Sequence, residues 1–233
     1  MYKHPTNRNL TTIEGVTFNK LPLTRPRGQW HHQFVEPYLL SNKRVMDDAL
    51  STHPRTLAIR VDLRFPSIYH EPDYPRGNSK SEITRFIESF KSKVKSEIAK
   101  RKREGKRVHS CHVSYIWVLE YGENGSEHYH VALFLNNDSF RSLGSKTTPN
   151  ESSPLVNIIV EAWESALNIS FEQAWNLVNI PLNPSYRLKL AVCPEQDKIY
   201  CDLFKRLSYF AKLDTKVYGA GERNSYGCSR RRC

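Results

Sequence analysis

The chain has 233 residues, with 35 Lys and Arg against 24 Asp and Glu, for a formal net charge of +11. Its length suits one domain, or one domain with appended arms. No apolar run is long enough for a membrane span and no apolar leader opens the chain, so a cytoplasmic protein is expected. Its five cysteines, Cys111, Cys193, Cys201, Cys228 and Cys233, include no C-x-x-C pair and are odd in number. A disulfide scaffold and a structural zinc site are therefore not expected, and the thiols read as reduced. The basic balance points to a polyanion, chiefly nucleic acid.

Residues 1–54 read as an N-terminal arm and a helix. The first thirty residues are polar and Pro-rich, an arm or a poorly ordered leader, and the helix spans about Pro37 to Leu50 with Pro37 in its first turn. Leu57 to Phe65 then alternates cleanly. Leu57, Ile59, Val61, Leu63 and Phe65 face one way, while Ala58, Arg60, Asp62 and Arg64 face the other. A helix from about Lys80 to Lys102 carries the stripe Ile83, Phe86, Ile87, Phe90, Val94 and Ile98, and Ser79 with Glu82 suits a capping box. Its basic end, Lys100 to Arg103 followed by Lys106 and Arg107, either complements the helix C-terminus or contacts phosphate.

Two strands, His109 to Tyr121 and His128 to Asn136, form a hairpin around Asn124-Gly125. Helices follow at about Pro154 to Asn168 and Phe171 to Asn179. A strand from Tyr186 to Val192 and a last helix from about Lys198 to Lys212 complete the set, and residues 217–233 read as a basic, Gly-rich tail.

The hairpin carries the chemistry. Residues i and i+2 of a strand share a face, so His128 and His130 project together while Tyr129, Val131, Leu133 and Leu135 enter a core. His-x-His is a short motif that also arises by chance, so its companions matter. Across the hairpin Glu120 falls on the same face. Two imidazoles and one carboxylate form a three-ligand site with open positions, suited to Mn²⁺ and less snugly to Mg²⁺. Asp62 is a further ligand, a partner orienting one, or a strand aspartate paired with an arginine.

On the last helix the apolar stripe is Tyr200, Leu203, Phe204, Leu207, Phe210 and Ala211, and Tyr209 falls roughly opposite it with Lys205 and Lys212 alongside. That spacing fits a surface tyrosine. It equally fits a nucleophile whose phenolate is favoured by lysine charge, attacking a DNA phosphate to leave a phosphotyrosine link and a free 3′-hydroxyl.

The order of these pieces resembles the HUH endonucleases: rolling-circle initiators, relaxases and certain transposases. Leu57-Ala-Ile-Arg-Val-Asp-Leu, Trp117-Val-Leu-Glu120, His128-Tyr-His-Val-Ala-Leu-Phe-Leu-Asn136, and Leu207-Ser-Tyr-Phe-Ala-Lys212 with Thr215-Lys216 are similar, more closely, to the YagK/YfjJ family of prophages and filamentous phages, over about residues 55–230. The resemblance implies metal ligands at His128, His130 and Glu120, a nucleophile at Tyr209 and a helper at Lys212. Position 213 is leucine, which implies single-tyrosine chemistry.

The expected fold is α+β, a central, mostly antiparallel sheet of four or five strands with helices on one face (palm-like), its metal face open to DNA. The nicking domain is expected over residues 55–216. The expected function is nicking and joining of single-stranded or extruded origin DNA to initiate rolling-circle replication, in the cytoplasm of a bacterial host. No Walker A pattern occurs, so a separate helicase and the host replication machinery would be partners. Arg60, Asp62, Arg64, Lys205, Arg101 and Arg103 are candidate DNA contacts. The rivals are a non-catalytic DNA-binding regulator, a metal-dependent nuclease that uses water, and an RNA-binding module.

Overall fold

A computed structural model describes residues 2–3, 10–25, 33–70, 82–122, 126–148, 151–213 and 225–230. In chain order the elements are β1 (Tyr2–Lys3), β2 (Thr11–Glu14), β3 (Thr17–Phe18), β4 (Leu21–Pro22), β5 (Gln33–Val35), α1 (Glu36–Thr52), β6 (Arg55–Arg64), α2 (Glu82–Arg103), β7 (Ser114–Tyr121) and β8 (Glu127–Asn136). These are followed by α3 (Pro154–Leu167), α4 (Phe171–Leu177), β9 (Val178–Asn179), β10 (Ser185–Lys189), α5 (Lys198–Ser208) and β11 (Tyr226–Cys228). The fold is α+β, as expected. Ser79 of the capping box, the Asn124-Gly125 turn, Thr215-Lys216 and Cys233 lie outside the described residues.

The central sheet has six strands in the order β10-β6-β8-β7-β11, with the short β9 also pairing β6, and every described pairing in it is antiparallel. The sixth strand comes from the expected tail: Tyr226 to Cys228 pair with Val118 to Ile116 and close the β7 edge. Gly227 permits this, because a Cβ there would come within 2.5 Å of the Trp117 ring.

Alternation along β6, β7 and β8 splits the core in two. Leu57, Ile59, Val61 and Leu63 join Tyr129, Val131, Leu133 and Leu135 against α2 and α3, with Trp163 fully buried among them. The other face is not left open, in contrast to the expectation of helices on one side only. Ala58, Ile116, Val118, Ala132 and Phe134 pack against α1 and α5. The face changes character along its length. Its Ala58 and Phe134 end is apolar and covered, while its Arg60, Asp62 and His130 end is polar.

The N-terminal arm also departs from expectation. Phe18, Leu21 and Leu23 are buried in the second core beside Phe34, so residues 10–25 are part of the folded unit. Their strands are two to four residues long, too short for a periodic signal. No helix among the described residues is long and apolar enough to cross a membrane.

Candidate metal centre

Strand register builds the cluster. Glu120 of β7 lies directly opposite His128 of β8, and Asp62 of β6 lies opposite His130. Directly opposed residues of an antiparallel pair have their Cβ atoms about 5 Å apart, so four polar side chains are gathered on three neighbouring strands. One ligand atom each from Glu120, His128 and His130 lies within 4.8 Å of the others, a set that could hold a metal ion. The two imidazoles meet edge to face with centroids 4.7 Å apart. Glu120 and His130 are buried, and His128 is half-buried.

Asp62 is not placed as the fourth member of that set. Its Oδ1 lies 2.6 Å from His130 Nδ1, and its Oδ2 accepts a hydrogen bond from Asn179 Nδ2 at 3.3 Å. With Nδ1 committed to Asp62, His130 turns Nε2 towards Glu120 Oε2, 3.2 Å away. A carboxylate behind a ligating imidazole fixes the tautomer and raises the ligand's basicity. Asn179, supplied by the short strand β9, has no motif in the sequence that marks it.

The electrostatics are those of a cation site. Burial opposes charge on His130, yet its hydrogen bonds to Asp62 and Glu120 outweigh that and lift its pKa. Burial also resists ionisation of Asp62, but His130 and Arg60 hold its carboxyl below the ordinary value. His128 is pushed down by burial and by charge on His130, which keeps it neutral, the form that binds a metal. Two carboxylates around one imidazole draw positive charge; a proton supplies some, and a divalent cation supplies more.

Tyr209 shares this cleft. Its ring packs edge-on against His130 with centroids 5.7 Å apart, and the Glu120 carboxylate is near enough to raise the pKa of its phenol. It does not sit within α5, which ends at Ser208. Tyr209 opens a single 3₁₀ turn, Tyr209–Ala211. That turn is tied down from outside. Thr24 N donates to Ser208 Oγ at 2.8 Å, Asn42 Nδ2 donates to the Leu207 carbonyl at 2.9 Å, and Leu213 N donates to the Gln33 carbonyl at 3.0 Å. The N-terminal segment and α1 thus position the tyrosine. The sequence alone offered no signal for Thr24 or Asn42.

The Lys212 ammonium lies over the Tyr209 ring, 4.6 Å from its centroid. Burial and the Glu120 carboxylate push the phenol up to about 12, with Arg60 working the other way. Arg60 sits 5.6 Å from the Tyr209 ring centroid and 5.5 Å from that of Phe210, and 3.5 Å from Asp62. Its Nε is buried without a hydrogen-bond partner.

Of the other candidate contacts, Arg64 is exposed opposite His128, and Lys205 is exposed on α5. Arg101 and Arg103 belong elsewhere. Arg101 bonds Glu97 at 2.7 Å and the Ser139 carbonyl at 2.7 Å, beyond the far end of β8 and on the α2 side of the sheet. They cannot touch a phosphate held at the cluster.

A family model described as the YagK/YfjJ C-terminal domain matches residues 18–229. The chain is 35% identical over 181 residues to the uncharacterized protein YagK of Escherichia coli K12, covering 76% of this chain and 84% of that protein. It is 34% identical over 194 residues to the uncharacterized protein YfjJ of the same organism, covering 81% and 91%. No solved structure matches.

Proposed function

This chain belongs to the YagK/YfjJ family, and we propose that it nicks and rejoins single-stranded DNA through a covalent tyrosine–phosphate link, the chemistry of the HUH endonucleases. The observation that carries this reading is the placement of a tyrosine beside a Glu-His-His cluster, with the Tyr209 ring packed against His130.

Glu120, His128 and His130 would hold Mn²⁺ or Mg²⁺. Such a cation neutralises charge developing on the attacked phosphate. The Tyr209 oxygen attacks phosphorus, a Tyr O–P bond forms, and the bond from phosphorus to the 3′-oxygen breaks. The phenol proton passes to the nearby Glu120 carboxylate, and the departing 3′-oxygen takes a proton from water. Arg60, over the Tyr209 ring, favours the ionised phenol. The link conserves the ester, so the 3′-hydroxyl can later reverse it. In this reading the substrate is a single-stranded or extruded origin of a phage or mobile element within a bacterial cytoplasm, and rolling-circle replication follows with a separate helicase and host polymerase.

The test is incubation with origin-region oligonucleotides and Mn²⁺, followed by a denaturing gel. A shifted band that requires Tyr209 and His130 is expected. Its absence on every strand favours a DNA-binding regulator without catalysis. Burial and the Glu120 carboxylate raise the phenol above its ordinary value, which favours a second reading, a phosphodiesterase that activates water. On that reading Tyr209→Phe stays active while His130→Ala does not.

A further inference from the structure

We propose that the basic cleft at the opposite end of the sheet is a second nucleic-acid site, which grips the phosphate backbone of duplex DNA without a metal. The choice of DNA as the polyanion rests on the proposed function; the site itself does not.

A cavity of about 550 Å³ lies where the end of α2, the segment after β8 and the start of α3 meet. Arg101, Lys106, Arg107, His109 and Arg141 line it. The carboxylates beside it are already committed. Glu97 pairs with Arg101 at 2.7 Å, Asp138 with Arg55 at 2.8 Å, and Glu104 with Lys106 at 2.8 Å. Arg107 and Arg141 are exposed and have no ion pair or hydrogen bond among the described residues. Complementing a helix C-terminus accounts for basic residues in the last turn of α2, but Arg107 and Arg141 lie beyond that turn. They are cations without an internal task.

The cleft extends. A second cavity of about 540 Å³ runs between α2 and α3, past Lys100 and Arg103, with Lys93 in its lining paired to Glu161 at 3.1 Å. An elongated basic groove suits a polymer rather than a single nucleotide. Among the described residues no exposed Phe, Tyr or Trp lines either cavity, and Phe140 is buried beneath Arg101, 4.9 Å from its ring centroid. Single-strand binding draws on aromatic stacking platforms. Their absence from these linings points to the backbone of a duplex.

The two sites are separate. His130 stands near the start of β8 and the cleft follows Asn136 at its end, roughly 20 Å along the strand. They also open on opposite faces, the cleft on the α2 side and the cluster on the α5 side. Among the described residues only Glu120, His128 and His130 form a metal-ligand group, so the cleft binds by charge alone.

The test is fluorescence anisotropy of the full chain with a short labelled duplex of arbitrary sequence, in EDTA, over a salt series. Arg107→Glu with Arg141→Glu should cost on the order of tenfold in affinity and lower the salt slope by about two, one counterion-release increment per lost phosphate contact. Arg107→Gln with Arg141→Gln should lose less, in the same direction. The same charge reversal at exposed Lys20 and Lys198, on the α5 side of the sheet, should leave affinity nearly unchanged. Equal losses in both reversed pairs, wild-type affinity in the Arg107/Arg141 pair, or displacement of the duplex by inorganic phosphate beyond its ionic-strength effect would each overturn the site. The Arg107/Arg141 pair should still form the Mn²⁺-dependent adduct on a short single strand. A wild-type chain that binds duplex but forms no adduct would defeat the nicking reading and leave this site standing.

Discussion

Asp62 Oδ1 lies 2.6 Å from His130 Nδ1 across the β6–β8 register, and that contact decides which imidazole nitrogen faces Glu120. Asp62→Asn keeps the size and removes the charge. It should weaken Mn²⁺ binding by roughly 10- to 100-fold, the usual effect of removing a carboxylate behind a ligating histidine. Isothermal titration of the variant reads this directly. Unchanged affinity would reduce Asp62 to an ion-pair partner of Arg60.

Asn42 joins three parts of the fold. Fully buried, it donates to the Leu207 carbonyl at 2.9 Å and accepts from the Tyr226 hydroxyl at 2.9 Å. Asn42→Ala leaves both groups buried without that partner, a cost of about 2–4 kcal/mol. The melting temperature should fall. Below it, adduct yield should drop while Mn²⁺ affinity holds, because Asn42 anchors the Tyr209 turn and not the ligand strands. A matching fall in Mn²⁺ affinity would mean that Asn42 supports the sheet as a whole.

What was legible in the sequence was whatever repeats at period two. The alternation from Leu57 to Phe65 predicts β6 and its buried side. Glu120, His128 and His130 lie close together as the hairpin spacing implies, because an antiparallel register carries parity across a turn. Other features carried no such signal. The polar residues Arg60, Asp62 and Arg64 made one side of β6 read as open, yet Ala58 on that same side lies under the second helical layer. Tyr209 reads as helical by period, but α5 stops at Ser208, whose hydroxyl bonds the Lys205 carbonyl at 2.7 Å and accepts from Thr24. The contact from Thr24 is long-range in sequence, and no local pattern encodes it.

The N-terminal segment supplies a direct check of that point. Leu23 is 1% exposed in the second core, next in sequence to the threonine that bonds Ser208. Were residues 10–25 a loose arm, Leu23→Ala would cost almost nothing. As a core residue it should cost about 2–5 kcal/mol, read by urea unfolding monitored by circular dichroism. A loss below about 1 kcal/mol would return the segment to the periphery.

Cys111 tests the pH behaviour of the far end of the sheet. Burial pushes its thiol up to about 11, only partly offset by the hydrogen bond its sulfur accepts from Asn136 N at 3.3 Å. The thiolate is the reactive form, so at pH 9 Cys111 should alkylate far more slowly than exposed Cys193, as read by peptide mapping. Linkage sets a second sign. Above the ordinary thiol value of 9.0 the unfolded chain releases this proton while the folded chain keeps it. Stability contributed by the neutral thiol is therefore complete below pH 9 and declines as pH rises towards about 11. Relative to Cys111→Ala, the wild-type chain should lose stability across that window and nowhere below it. Parallel profiles for the two proteins would show that Cys111 ionises as freely when folded as when unfolded.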